Sequence, residues 1–187
     1  MTSETLISKS LEDFELKPIH RILLTTDGSI TTIIEAYTGN RVDVITRDQR
    51  IIKAGRYASL LRIDEEDDIN FRVVSLISGN RVYAEAVSLT PLKRLEPGFR
   101  DDLTRADIPI GRILRKHKIE ARRDINWIVV CRFREIWVMN IPDFVKEFSR
   151  NIDLGSDEIV LARSYNIIRR GEVLMNITEF FRADMFE

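Results

Sequence analysis

One cysteine, Cys131, and two histidines, His20 and His117, are the only thiol and imidazole groups in the 187-residue sequence. An internal disulfide is therefore impossible, and no Cys/His spacing matches a zinc site, so no metal is expected. Basic residues are not in excess: 29 lysines and arginines stand against 30 aspartates and glutamates, a net charge of −1. They are spread along the chain without a basic block. That argues against nucleic acid as a partner, because neutralising phosphates needs a concentrated basic face. No apolar run approaches the roughly 18 to 20 residues of a membrane-spanning helix, so no membrane partner is expected. The opening stretch MTSETLISKSLEDFELK lacks the basic start, apolar centre and small-residue cleavage site of a secretory signal, and a cytoplasmic protein is expected. Also missing are a GxGxxG turn, a Walker loop, a GxSxG elbow and any repeat at a solenoid period. The acidic run at 64–68 lacks the spaced acid-and-glycine pattern of a calcium loop and reads as a solvated turn.

What is present fits one domain, since 187 residues with 44% hydrophobic content can bury a sizeable core. Residues 17–24 read as a helix, broken by TTDGS. Ser29 can cap a second helix in which Ile30, Ile33, Ile34 and Tyr37 recur at helical spacing and which Gly39 can end. Residues 41–45 alternate as a strand. A hairpin signal follows, residues 69–77 and 81–89 around Gly79-Asn80, whose simplest register sets Arg72 opposite Val87 and on one face with Val74, Leu76, Tyr83 and Glu85. Residues 92–107 form a polar helix-and-loop region, and Asp107 and Pro109 open another helix. Strands are expected at 119–123 and 127–133, then a short helix opened by Pro142. A second hairpin, 158–168 and 172–181, closes the chain. Few crossover helices and long hairpins point to an α+β fold with a mostly antiparallel sheet flanked by helices. Cys131, inside an apolar strand, reads as a small core residue.

The segment NITEFF, residues 176–181, carries the sharpest question. Read as a strand from Val173, it puts Val173, Met175, Ile177 and Phe181 on one face, and Glu179 on the same face. A carboxylate there costs several kcal/mol, on the order of known penalties for buried ions, unless paired, hydrogen-bonded or protonated. Arg163 falls on the apolar face of the preceding strand; a three-residue hairpin loop sets that face on the side of Glu179, whereas a two-residue loop opposes them. Arg72, Glu85, Arg163 and Glu179 pair among themselves, or sit at strand ends where their heads reach water, or form a concave polar cluster suited to a small anion, which arginine grips bidentately. The first-turn amides near Ile30 and near Ile110-Gly111 are further candidate carboxylate donors at helix starts.

Four stretches in this order, DGSITTIIEA, FRVVSLISGNRVYAEAVSLTP, IPIGRIL and ARSYNIIRRGEVLMNITEFF, resemble the chorismate pyruvate-lyase family, particularly its archaeal-type members. The resemblance spans residues 23–181. It leaves 1–22 as an N-terminal extension of the single domain and 131–157 as a family-specific insertion. It implies a chorismate lyase-like fold, cleavage of chorismate to 4-hydroxybenzoate and pyruvate, and no metal or organic cofactor. The implied partner is a small aromatic or cyclic carboxylate. The family's carboxylate-gripping arginine falls on Arg72, its essential glutamate on Glu179, and its carboxylate-binding amides on Ile30 and Ile110, with Gly111, Glu85 and Arg163 beside them. Val87 stands where bacterial members carry a second arginine.

The same fold serves the effector-binding domain of GntR-type regulators. A non-catalytic module that binds a small anion is therefore the alternative, although some twenty residues ahead of the common region are too few for a DNA-binding domain. In the enzymatic reading Glu179 donates a proton to the leaving oxygen or hydrogen-bonds the developing phenol. Because a neutral group replaces a buried ionisable one, its replacement by glutamine is expected to hold or raise stability.

Overall fold

The computed structural model describes residues 14–187 except 106, 140, 151 and 153. Most of the expected 1–22 extension lies outside these residues, but from Pro18 the chain is helix α1 (Pro18–Thr25). Its buried His20 sets Nε2 3.1 Å from the carbonyls of Ala183 and Phe186, tying the helix to the C-terminal turn.

Helix α2 (Ile30–Thr38) starts and stops as its sequence dictates. Ser29 accepts from the Thr32 amide at 3.4 Å, and Gly39 ends the helix in the left-handed region at φ 68°, which costs glycine little. Strand β1 (Asp43–Lys53) and the short helix α3 (Ala58–Leu61) follow. The first long hairpin is β2 (Asp68–Ser78) with β3 (Arg81–Pro91). Helices α4 (Pro97–Arg105) and α5 (Ile110–Lys116) then lead to β4 (Arg122–Arg132), a continuous strand where two were expected, with one bulged residue, Asn126, at the anticipated break. Helix α6 (Asp143–Ser149) precedes the second hairpin, β5 (Ile159–Arg169) and β6 (Glu172–Arg182).

The six strands form one antiparallel sheet in the order β1-β2-β3-β6-β5-β4. One face carries Val44, Val74, Leu76 and Phe181 under α1 and α2, and Tyr165, Ile167, Met175 and Ile177 under α4 and α5. The reverse face carries Val73, Val87, Val129, Ala162 and Phe180 under Ile136, Val145 and Phe148 of the 133–149 segment, with Ile69, Leu89 and Val173 under α3. Each large aliphatic or aromatic side chain buried this way contributes about 1.5–3 kcal/mol. Within the stretch expected as an insertion, residues 133–139 and 141–149 thus form the lid of the reverse-face core. Cys131 is buried there too, and burial followed by the charge of Glu135 pushes its thiol up to about 12, far from a nucleophile's range.

Both hairpins turn on two residues with positive φ, Gly79-Asn80 at 53° and 66° and Arg170-Gly171 at 52° and 83°. That twist matches the twist of the flanking strands. Each then carries one bulged residue on its returning strand: Tyr83 between the pairs Ile77–Val82 and Leu76–Ala84, and Leu174 between Ile168–Val173 and Ile167–Met175. A single extra residue reverses every side chain beyond it. The two halves of the sheet consequently share one register. Arg72 and Arg163 hold equivalent positions, as do their partners Ser88 and Glu179.

Candidate active site

The site is assembled at the loop between α1 and α2. Arg163, fully buried on β5, donates from Nη1 to the Thr26 carbonyl at 2.6 Å, and Arg123 on β4 donates from Nη1 to the Asp27 carbonyl at 2.7 Å. These bonds fix the TTDGS backbone so that Gly28, Ser29, Ile30 and Thr31 overlie the sheet. The start of α5 meets them there. A Cβ on Gly111 would sit 3.1 Å from Ser29 Oγ, so glycine permits this close approach of the two helix starts. Arg112 locks the seam by donating from Nη2 to Glu35 Oε1 at 2.6 Å. Beneath it lies a narrow cavity of about 60 Å³, walled by Val74, Leu76, Ala86 and Ile177, into which Arg72, Arg123, Tyr165 and Glu179 also project.

Arg72 is 1% exposed, and it donates from Nη1 to the Ile108 carbonyl at 3.2 Å and from Nη2 to Thr46 Oγ1 at 3.3 Å. Burial draws its guanidinium down from the ordinary value while the nearby Asp107 opposes the shift. A guanidinium nevertheless remains charged near neutrality.

Glu179 sits on the same face of the sheet, 5% exposed. Its Oε2 accepts from Arg163 Nε at 2.8 Å and its Oε1 from the Tyr165 hydroxyl at 3.0 Å. Burial is the largest influence on the Arg163 guanidinium and works against its charge, but Glu179 and Tyr165 together outweigh it and raise the group above its usual range. Burial, then the charge of Glu179, holds the Tyr165 phenol well above its usual range, so it stays a donor. A carboxylate survives in this apolar wall because a cation neutralises it from behind and a phenol satisfies its other oxygen.

The structure brings Arg72, Glu179, Ile30, Ile110 and Gly111 to one cavity. It does not bring Glu85. The bulge at Tyr83 turns Glu85 to the reverse face, opposite Ser75, and pairs Arg72 with Ser88 rather than Val87. Val87 is turned to the reverse-face core by the same shift. Arg163 does not line the cavity; it backs Glu179 and the loop. Its alignment with Glu179 matches the face predicted from a three-residue loop, because the observed two-residue turn plus the Leu174 bulge inserts the same extra residue. The same bulge puts Val173 on the reverse face. Arg123 and Tyr165 are site residues that sequence reasoning missed; Tyr165 was recognisable on the Arg163 face but reads there as one more apolar residue. Among the described residues no three His, Cys, Asp or Glu side chains cluster as a metal site, and no helix is long and apolar enough to cross a membrane.

Residues 24–187 match the family described as chorismate pyruvate-lyase Rv2949c-like. The chain belongs to that family. A Methanocaldococcus jannaschii relative, MJ0807, a lyase by provisional name only, is 34% identical over 180 residues, spanning 94% of this chain and 84% of its own. The chorismate pyruvate-lyase of Mycobacterium tuberculosis is 22% identical over 184 residues, spanning 94% of this chain and 87% of its own. Among solved structures, PhnF of Mycobacterium smegmatis superposes with a TM-score of 0.66 at 15% identity, over 87% of this chain and 67% of that one. Its isolated effector domain gives 0.64 at 15% identity, over 85% and 91%. A GntR-family transcriptional regulator of Bacillus cereus gives 0.54 at 13% identity, over 78% and 94%, so the chorismate lyase-like fold is shared with such regulators.

Proposed function

We propose that the chain cleaves chorismate to 4-hydroxybenzoate and pyruvate in the cavity between the sheet and the starts of α2 and α5. The observation that carries this reading is the presence in one apolar cavity of Arg72 and of a Glu179 neutralised from behind. Arg72 and the first-turn amides at Ile30, Ile110 and Gly111 anchor the ring carboxylate, which holds the ring in one orientation against Glu179. The ether C–O bond breaks, the adjacent hydroxyl-bearing ring carbon loses its hydrogen, the ring becomes aromatic, and the side chain departs as pyruvate with that proton.

Glu179 holds the ring hydroxyl as a hydrogen-bond acceptor. With Arg163 and Tyr165 already donating to it, its remaining lone pairs suit an incoming O–H better than its protonated form suits a departing oxygen. This replaces the proton-donor role anticipated from sequence. A cavity of about 60 Å³ has room for about two waters, so the site widens to admit a ring-sized ligand. Purified protein incubated with chorismate should release pyruvate and 4-hydroxybenzoate in equal amounts. Binding of 4-hydroxybenzoate without turnover would instead favour a sensor, the role its fold relatives' effector domains suggest.

A further inference from the structure

A second cavity, of about 430 Å³, lies on the reverse face of the sheet. Val73, Val82, Phe148 and Phe180 are among its apolar lining, and Arg47 and Glu85 bring opposite charges to it. The β1 bulge between Thr46 and Asp48 is the point where Arg47 leaves the regular alternation. Its Nε donates to Ser75 Oγ at 2.8 Å, and Ser75 Oγ lies 3.0 and 2.9 Å from the two oxygens of Glu85. Among the described residues those are the side-chain hydrogen bonds of this pair, and guanidinium and carboxylate stand too far apart for a direct ion pair. Burial raises the Glu85 carboxyl, with Ser75 and Arg47 only partly offsetting it. Arg182, which also lines the cavity, is engaged elsewhere, at 3.4 Å from Glu158 and 3.0 Å from Asp184.

A simple carboxylate would meet the exposed Arg47 but also the half-buried Glu85; a simple amine would meet the reverse conflict; a hydrocarbon would desolvate Glu85 further without a partner. A ligand carrying both charges a short distance apart satisfies each. We propose that the reverse-face cavity is a second binding site, for a small zwitterion with an apolar or aromatic side chain, the chemistry of an α-amino acid. Arg47 receives the carboxylate through its outer N–H groups, Glu85 receives the ammonium, and Phe148 and Phe180 hold the side chain. The sheet is a common wall between the two cavities, since Glu179 faces one and Phe180 the other, as do Arg72 and Val73. The assignment does not depend on the lyase reading.

Calorimetry with L-phenylalanine as probe tests it, beside phenylacetate and phenethylamine, on the wild type and on Arg47→Met, Glu85→Gln and Val82→Trp. L-phenylalanine should bind the wild type about tenfold or more tighter than either single-charge analogue, and each variant should lose a similar factor, as expected for one charge-assisted hydrogen bond or a blocked mouth. Affinity for 4-hydroxybenzoate should stay unchanged throughout, which separates failure here from failure of the lyase reading. The conservative Glu85→Gln and the mouth-filling Val82→Trp keep the test decisive if Arg47→Met does not fold. The proposal is overturned if millimolar L-phenylalanine, L-leucine and L-tryptophan give no binding heat, if the single-charge analogues bind as tightly, or if the variants bind like the wild type.

Discussion

Replacing Glu179 by glutamine reverses sign between sequence and structure. Treated as a lone buried acid, the residue costs desolvation, and the amide should hold or raise stability. In the structure the carboxylate is the counter-ion of Arg163, whose side chain is 0% exposed against 6% for Glu179. Removing one member of a buried ion pair leaves the other charge uncompensated, at about 3–5 kcal/mol. The amide oxygen can still accept from Arg163 Nε, which puts the expected loss near the lower end, about 3 kcal/mol. For a domain of this size, about 2–4 °C per kcal/mol converts this to a melting temperature lowered by roughly 6–12 °C. Urea denaturation and thermal melts at pH 7 read both quantities. Adding Arg163→Met removes the stranded charge but also the bond to the Thr26 carbonyl, and it leaves a buried amide at 179, so it should recover part of the loss. A Glu179→Gln protein as stable as the wild type would show that Arg163 does not depend on this carboxylate, and the site geometry would fall with it.

Arg72→Ala should weaken 4-hydroxybenzoate binding by about 1.5–3 kcal/mol, roughly ten- to 150-fold, the worth of hydrogen bonds to a charged group; equal calorimetric affinity in the variant puts the anion elsewhere. Tyr165→Phe deletes one donor to the buried carboxylate and should lower urea-denaturation stability by about 1.5–3 kcal/mol, whereas an unchanged midpoint assigns the phenol no share in holding Glu179. Burial keeps the folded Glu85 carboxyl above its unfolded value of about 4.3. Between those two values the native state binds more protons than the unfolded chain, so stability falls as pH rises through the window. Glu85→Gln should therefore remove part of the decline in stability as pH rises above about 4.3, and melt at or above the wild type at neutrality. An unchanged pH slope contradicts it.

Much of this arrangement is legible from local chemistry. Ser29, Gly39 and Gly79-Asn80 mark a helix start, a helix stop and a turn because each answers a backbone demand that few residues meet. The bulges are a different matter. Tyr83, Leu174 and Asn126 carry no mark that distinguishes them from strand neighbours, because a bulge is decided by how two strands accommodate each other. Each one moves every later residue to the other face. That is why Glu85 reads as a neighbour of Arg72 and is instead its opposite across the sheet, and why Val173 does not share a face with Glu179. Glu179 and Arg163 come out aligned because the Leu174 bulge supplies the residue that the two-residue turn omits. Arg123 stays hidden for a related reason: its contribution is a bond to the carbonyl of Asp27, almost a hundred positions away, and backbone acceptors leave no trace in side-chain patterning.

The measurement closest to the central claim is steady-state chorismate cleavage, with pyruvate and 4-hydroxybenzoate followed together, by the wild type, Arg72→Ala and Glu179→Gln below the melting temperature of each. The wild type should form both products at equal rates, and Glu179→Gln should turn over roughly ten- to 150-fold more slowly, the worth of one hydrogen bond to a charged group, about 1.5–3 kcal/mol. Arg72→Ala should lose turnover together with product affinity. Undiminished cleavage in both variants, or none in the wild type at any enzyme concentration, would contradict the account.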